Sequence, residues 1–584
     1  PAAISINAPS NLKFVNGASL TYQGPAIELN ASSLSVSGGG SLLLKNDGSN
    51  PFTLNNADGE LEFAGASTTT ISHVKINSGA ATNSPVLKMS SNAVISNLIH
   101  TGFSELNIAS GKSLSITQAL EVPAQKQMKI TGADGTLSLG GNMTLSGTLN
   151  FSVANTTLSG GSLTLNGGIL QVDQDFNLKS NLFQQANSSI LVATGKTMNY
   201  SGNEFNLGPK ILTLSGGGSF ANTNNLKLDN AGSKLTLSES TKISRLSVTA
   251  EGGEGGLTIT ASDVSATGNI VEKLNLSDSL SVTSDTAVSF GKITADSLLT
   301  FSSNKDVTST ELTLSSSADL SLGTGDITFN VTMPVNVDST QKLKNGGGSF
   351  DFVGGITLKA GSELVGQGRQ ISGNVNLNGG KLSIEQDTTI ADNLVHSVDS
   401  TINIDALKTL TYGGVTVGIG AAKLKIQGGG SFINSATTVL NLNSANSNLV
   451  LDNVTVAYVS VSAASNSNKG LVVSADSTLT NLSLAQKLRL SVAAEKTFSV
   501  TESLTVPSQG MLLSGSGTID LNEILTLNGN VELASGSLTV DAKGMLLNLG
   551  ANLDLSGGVL LTDSATNFHL LSNATLTTNA EQLI

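Results

Sequence analysis

The 584-residue chain has no cysteine and no tryptophan, and only four tyrosines. Lack of cysteine excludes disulfides and thiolate metal sites. It leaves the compartment open, but suits a chain threaded unfolded through a secretion pore. With aromatics at 4%, little is available to stack on a sugar ring. Charged residues make up 12%, against about 25% in an ordinary soluble protein. The net charge of −13 is spread without basic blocks, so the clustered Lys and Arg of a nucleic-acid binder are missing. No apolar run approaches the roughly 20 residues of a membrane-spanning helix. No secretory leader is visible, and Pro1 reads as the start of a mature chain or of a fragment.

What the chain does have is aliphatic residues set among Ser, Asn, Thr and 63 glycines, with a mean hydropathy of +0.12. Disorder would require low hydrophobicity and high net charge, so a thin aliphatic core is expected instead. Ser162-Leu163-Thr164-Leu165, Lys423-Leu424-Lys425-Ile426 and Ser537-Leu538-Thr539-Val540 each place an apolar residue at every second position. That is the period of a half-buried strand. Such runs are interrupted by Gly, Asn, Asp or Ser, which favour turns, and helical periodicity is nearly absent. The expected class is all-β.

Internal repeats decide between separate sandwich domains and a solenoid. Leu170, Val172, Gln174 and Asp175 recur as Leu382, Ile384, Gln386 and Asp387, and Tyr200 as Tyr412. Both copies then reach Gly-Gly-Gly-Ser-Phe, at 216–220 and 428–432. An earlier copy runs from Gly17 through Tyr22 and Gly24 to Gly38-Gly39-Gly40-Ser41. Leu120-Glu121-Val122-Pro123 matches Leu504-Thr505-Val506-Pro507, with Met333-Pro334-Val335 as a looser middle copy. A shorter signature, Ile71-x-x-Val74-x-Ile76, returns as Ile243-x-x-Leu246-x-Val248 and Val456-x-x-Val459-x-Val461.

These spacings predict one continuous parallel β-helix, with residues 1–21 as the closing coil of a partial repeat and superrepeats at 22–199, 200–411 and 412–584. Unequal repeat lengths suit stacked coils, because each coil touches only its neighbours and can lengthen at a turn. Roughly 20 residues per coil would give about 28 coils, and about 4.8 Å per coil a rod on the order of 130–140 Å long. Right-handed winding is expected from the usual hand of parallel crossovers. Neither terminus reads as a cap, which predicts either excerption from a longer array or head-to-tail stacking of the chain on itself.

No motif of known chemistry stands out. His73, His100, His396 and His569 share no metal-ligand spacing and read as exposed or turn residues. The Gly-Gly-Gly-Ser stretches lie between strands with no helix to follow, so they read as wide turns and not as phosphate loops. The acidic glycine-rich Glu251-Gly-Gly-Glu254-Gly-Gly reads as a surface loop. Tyr22, Tyr200 and Tyr412 alternate in phase with Leu20, Met198 and Leu410 and are expected inside. The best enzymatic candidates are Asp173-x-Asp175 and Glu385-x-Asp387. On a strand each pair would share a face about 7 Å apart, within the range inverting glycosidases use. Against this, Asp563 in the third copy is followed by Ala565, and no Arg or Lys lies beside either pair in sequence. A solvated face or a loose cation site is the plainer reading of Asp173, Asp175, Glu385 and Asp387, and no metal or cofactor is expected.

The Ser/Asn/Gly/Leu texture, the missing cysteine and repeats such as Leu212-Thr-Leu-Ser-Gly-Gly-Gly-Ser-Phe220 resemble secreted bacterial β-helix surface proteins, of the autotransporter-passenger and filamentous-haemagglutinin-like kind. The resemblance implies an extracellular or cell-surface location, a role in adhesion or fibre formation, and no enzymatic activity in the rod. The expected partners are other copies of the chain, end to end, further repeats of a longer chain, or a host or neighbouring-cell surface. The alternative expectation is a polysaccharide-acting β-helix enzyme, such as a tailspike-like depolymerase or glycoside hydrolase.

Overall fold

Strands of three to eight residues dominate a computed structural model of the chain. It describes residues 85–239, 326–465 and 469–523 without interruption, most of 27–77, 241–249, 255–260 and 271–323, and isolated strands toward each end. No helix occurs among the described residues, so none there is long and apolar enough to cross a membrane. The chain divides into two compact units, Pro1–Gly291 and Lys292–Ile584. Each is a parallel β-solenoid, in which every strand pairs in parallel with its counterpart one coil away.

Three strands make a typical coil. In the first unit Thr136–Leu139, Met143–Leu145 and Thr148–Phe151 turn three corners before Thr156–Gly160 begins the next coil. They lie on what we term the first, second and third faces. Alternation places one apolar column behind each pair of neighbouring strands. On the third face of the second unit, Leu320, Leu343, Leu364, Leu382, Ile402, Ile426, Leu451 and Val473 follow one another in register. All are buried, each stabilising the stack by about 1.5–3 kcal/mol relative to exposure.

Coil length is uneven. Leu364 pairs with Leu382 whereas Leu34 pairs with Leu61, so the second of these coils is half as long again as the first. Among the described residues most coils are longer than the roughly 20 residues expected, so the coils are fewer than the expected count of about 28.

The short signature beginning Ile71 has a topological meaning. In those coils the first and second faces are crossed by one bent strand. Thr69–Ile76 keeps Ile71, Val74 and Ile76 inside but leaves Ser72 and His73 consecutively half-buried at the bend. Lys242–Val248 pairs with Ser219–Asn222 through its first half and with Leu226–Leu228 through its second. Thr455–Val461 likewise spans Ser431–Ile433 and Leu440–Leu442. A buried asparagine satisfies each of these last two bends. Asn222 donates to the Arg245 carbonyl at 2.6 Å and accepts from its N–H at 3.0 Å. Asn434 does the same for Tyr458, at 2.8 Å in both directions.

Elsewhere the second face is a separate four-stranded sheet. Leu120–Val122, Met143–Leu145, Ser162–Asn166 and Asn181–Ala186 form one, and Val335–Val337, Ile356–Lys359, Val375–Asn378 and Leu394–Val398 another. Their last strand pairs carry the same β-bulge, between Leu165 and Asn166 and between Leu377 and Asn378.

The expectation of wide turns holds at the glycine triplets. Gly216 and Gly217, like Gly428 and Gly429, have positive φ (96°, 74°, 114° and 86°). The third glycine is required by contact: a Cβ on Gly218 would sit 2.5 Å from the Ala193 carbonyl oxygen, and one on Gly430 2.4 Å from Ile404 Cγ2. Gly39, Gly40 and residues 251–254 lie outside the described residues.

Candidate functional site

The paired carboxylates do not stand side by side on one strand. Asp173 occupies the bend after Ile169–Val172, and Asp175 the corner just before Phe176. Glu385 lies on Lys381–Gln386, but Asp387 is already past its end. All four are engaged. Asp173 accepts hydrogen bonds from the side-chain amides of Asn150 at 3.0 Å and Gln171 at 2.9 Å. Glu385 accepts one from Gln367 at 2.7 Å. Asp175 and Asp387 accept from the backbone N–H of Thr197 and Thr409, each at 2.8 Å and each one coil ahead.

That last bond is a general device of the fold. Asp306 serves Thr328 at 3.1 Å and Asp476 serves Thr497 at 2.8 Å in the same manner. In each case the aspartate precedes a first-face strand and the threonine opens the first-face strand of the next coil. The N–H of a strand's first residue has no ladder partner unless the coil below supplies one, and the carboxylate supplies it. The recurring signal, an Asp at a corner with a Thr one coil on, is present in the sequence but hidden among many Asp and Thr residues. Among the described residues no three His, Asp or Glu side chains cluster as a metal site would require. Asp563, Ala565, Glu251 and Glu254 lie outside the described residues.

The histidines depart from expectation. His100 and His396 are buried, with 4% and 7% of their surface exposed. His100 closes the strand Ala93–His100 and stacks in register on Ile76. Burial there drives its pKa down to about 4, the nearby Lys126 charge adding to the effect against an opposing contact with the Gln127 backbone. Burial likewise lowers the pKa of His396, against the opposing influence of the Ala422 backbone and the Asp399 carboxylate. His73 is half-buried, and the side chain of His569 lies outside the described residues. Tyr200 and Tyr412 are interior, as the alternation predicts, while Tyr22 is half-buried.

One grouping was invisible in the sequence. On the third face of the second unit, stacking brings Lys342, Glu363, Lys381, Thr401 and Lys425 into a single outward column. Glu363 is bridged by Lys342 at 2.8 Å and Lys381 at 3.1 Å and accepts from the Ser383 hydroxyl at 2.6 Å. Its partial burial opposes ionisation, but those three donors outweigh it and hold the carboxyl down to about 2. The charge of Glu385 also acts on Lys342, so a lysine does lie near one candidate carboxylate, brought there by stacking and not beside it in the chain. A shallow cleft of about 530 Å³ opens along this column, lined by Gly379, Gly380, Lys381, Ser400, Thr401 and Lys423 among others. Chemically it offers ammonium groups and the Thr401 hydroxyl.

Comparison of the chain with protein-family models, with curated proteins and with solved structures finds no match.

Proposed function

We propose that the chain is a structural module of a secreted or cell-surface protein, a stiff spacer serving as fibre subunit or adhesin stalk, and that its solenoid performs no catalytic step. One observation carries this reading. The carboxylates with the best claim to chemistry, Asp173, Asp175, Glu385 and Asp387, are occupied as hydrogen-bond acceptors, and two of them clamp one coil to the next. A carboxylate whose lone pairs serve backbone and amide donors is a poor general base and a good fastener. The repetition of the same clamp at Asp306 and Asp476 fits a molecule selected for length and stiffness. Fold alone does not fix function, so the reading rests on these side chains.

Negative-stain electron microscopy across a concentration series is the direct test. Filaments with a regular axial repeat would support the fibre subunit, in which copies associate end to end. Particles that stay dispersed at high concentration would support the stalk. Cleavage of any polysaccharide in a broad panel, lost in Asp175→Ala while the fold survives, would overturn the non-catalytic reading in favour of a glycan-degrading enzyme.

A further inference from the structure

We propose that the cleft around Lys381, Lys423 and Lys425 binds an anionic saccharide, engaging its sulfate groups. This goes beyond the structural reading above and stands whether or not copies of the chain associate.

The argument begins with a duplication. The backbone that frames this cleft occurs again in the first unit. Gly167 and Gly168 correspond to Gly379 and Gly380, and the preceding β-bulge is shared. Ser188 accepts from the Gly167 N–H at 3.0 Å as Ser400 does from Gly379 at 3.1 Å. Asn187 accepts from the Ile211 N–H at 2.9 Å as Asp399 does from Lys423 at 2.7 Å. The linings differ. Where the second unit has Lys381, Lys423 and Lys425, the first has Ile169, Ile211 and Thr213. Ile169 and Ile211 are 41% and 37% exposed, so this backbone forms without lysine at either place. The backbone geometry of the cleft therefore does not require the lysines.

The charges of the cleft leave a small positive surplus, centred on Lys423. Glu363 is already shared by Lys342 and Lys381, Asp452 pairs with Lys425, and Asp399 holds the Lys423 backbone. Among the described residues no carboxylate pairs with the Lys423 ammonium, which is exposed. Lys381 and Lys425 stand two coils apart across Thr401, about 10 Å, and Lys423 lies about 7 Å along the strand from Lys425. Cations so spaced suit charges borne on successive units of a polymer. The surroundings suit a saccharide: Thr401 offers a hydroxyl and Gln427 an amide, and the glycines leave room for a ring to approach. No aromatic lines the cleft, which disfavours a nucleic acid needing a stacking platform.

The test is titration calorimetry of the intact chain with a sulfated glycosaminoglycan tetrasaccharide, its desulfated counterpart and sodium sulfate. Binding of the sulfated tetrasaccharide alone is expected, weakening as salt rises. Lys381→Ile and Lys423→Ile together install residues that the equivalent backbone already carries, so the fold should persist. Lys381→Gln with Lys423→Gln serves as the second variant. Each pair is expected to weaken binding at least about tenfold while circular dichroism shows the all-β fold retained, with at most a small loss of thermal stability from the Lys381–Glu363 bridge. The proposal is overturned if the parent chain fails to bind, if both folded variants bind as the parent does, or if the desulfated sugar or free sulfate binds equally well.

Discussion

The Asp175 carboxylate accepts the Thr197 backbone N–H at 2.8 Å, and at the equivalent corner of the second unit Asp387 accepts that of Thr409 at the same distance. Each bond ties the corner of one coil to the opening residue of the next. Asp175→Ala should therefore cost about 1 kcal/mol locally, and Asp175→Asn much less, because the amide oxygen can still accept. Coils couple only to neighbours, so the loss should appear as local opening. Hydrogen exchange should quicken at the Thr197 amide in Asp175→Ala and stay slow at Thr409. Equal exchange in the parent and the Ala variant would show that the clamp contributes nothing.

The two interior tyrosines give a matched pair. Tyr200 Oη donates to the Asn203 carbonyl at 2.6 Å and accepts from the Leu182 N–H at 3.2 Å. Tyr412 Oη donates to the Val415 carbonyl at 2.6 Å and accepts from the Leu394 N–H at 3.1 Å. Each hydroxyl thus satisfies two backbone groups, and burial raises both phenol pKa values. Tyr200→Phe and Tyr412→Phe should each destabilise by about 1–3 kcal/mol, the cost of stranding buried polar atoms. Chemical denaturation of the single variants would measure this. A loss below a few tenths of a kcal/mol in both would mean that water replaces the hydroxyl.

How much of this was legible depends on spacing. Alternation in Lys423-Leu424-Lys425-Ile426 marks a strand because the period is local. The inward placement of Tyr200 and Tyr412 follows from the same rule. The charged column does not, since the chain advances further from Lys342 to Glu363 than from Glu363 to Lys381. No fixed period would align them, because coil length is absorbed at turns whose size the sequence leaves open. The depth of His100 escaped for a related reason: it ends a bent strand, whose phase shifts at Ser96 and Asn97. The duplicated cleft needed the register of both units before Ile211 and Lys423 could be compared.

Close approach makes a sharper prediction at Gly430. Its φ is not in the left-handed region, yet a Cβ there would lie 2.4 Å from Ile404 Cγ2 and 2.5 Å from the Asp405 carbonyl oxygen. Gly430→Ala should destabilise the second unit by about 1–3 kcal/mol through overpacking. Gly420 is the control, with open space where a Cβ would go and no positive φ. Gly420→Ala should be neutral or slightly stabilising. If thermal unfolding ranks the two variants alike, packing between coils is looser than these contacts require.

His100 makes acid sensitivity a local property of the first unit. Its folded-state pKa of about 4 lies below the roughly 6.5 of an unfolded chain. Above pH 6.5 neither state binds the proton and stability is constant. As pH falls from about 6.5 toward 4 the unfolded state takes up a proton that the folded state refuses, so stability is lost by on the order of 3 kcal/mol. Below that the loss levels off. Glu363 acts in a lower window: its depressed pKa of about 2 supports the second unit above its ordinary 4.5, and that support fades as pH falls toward 2. His100→Leu, which fills the site with a side chain akin to the stacked Ile76, should flatten the first window and leave the second unchanged. Because His396 is shifted in the same direction in the other unit, exchange of the Ala93–His100 strand amides is the appropriate readout between pH about 7 and about 4. Equal pH slopes for those amides in parent and variant would remove His100 as the source.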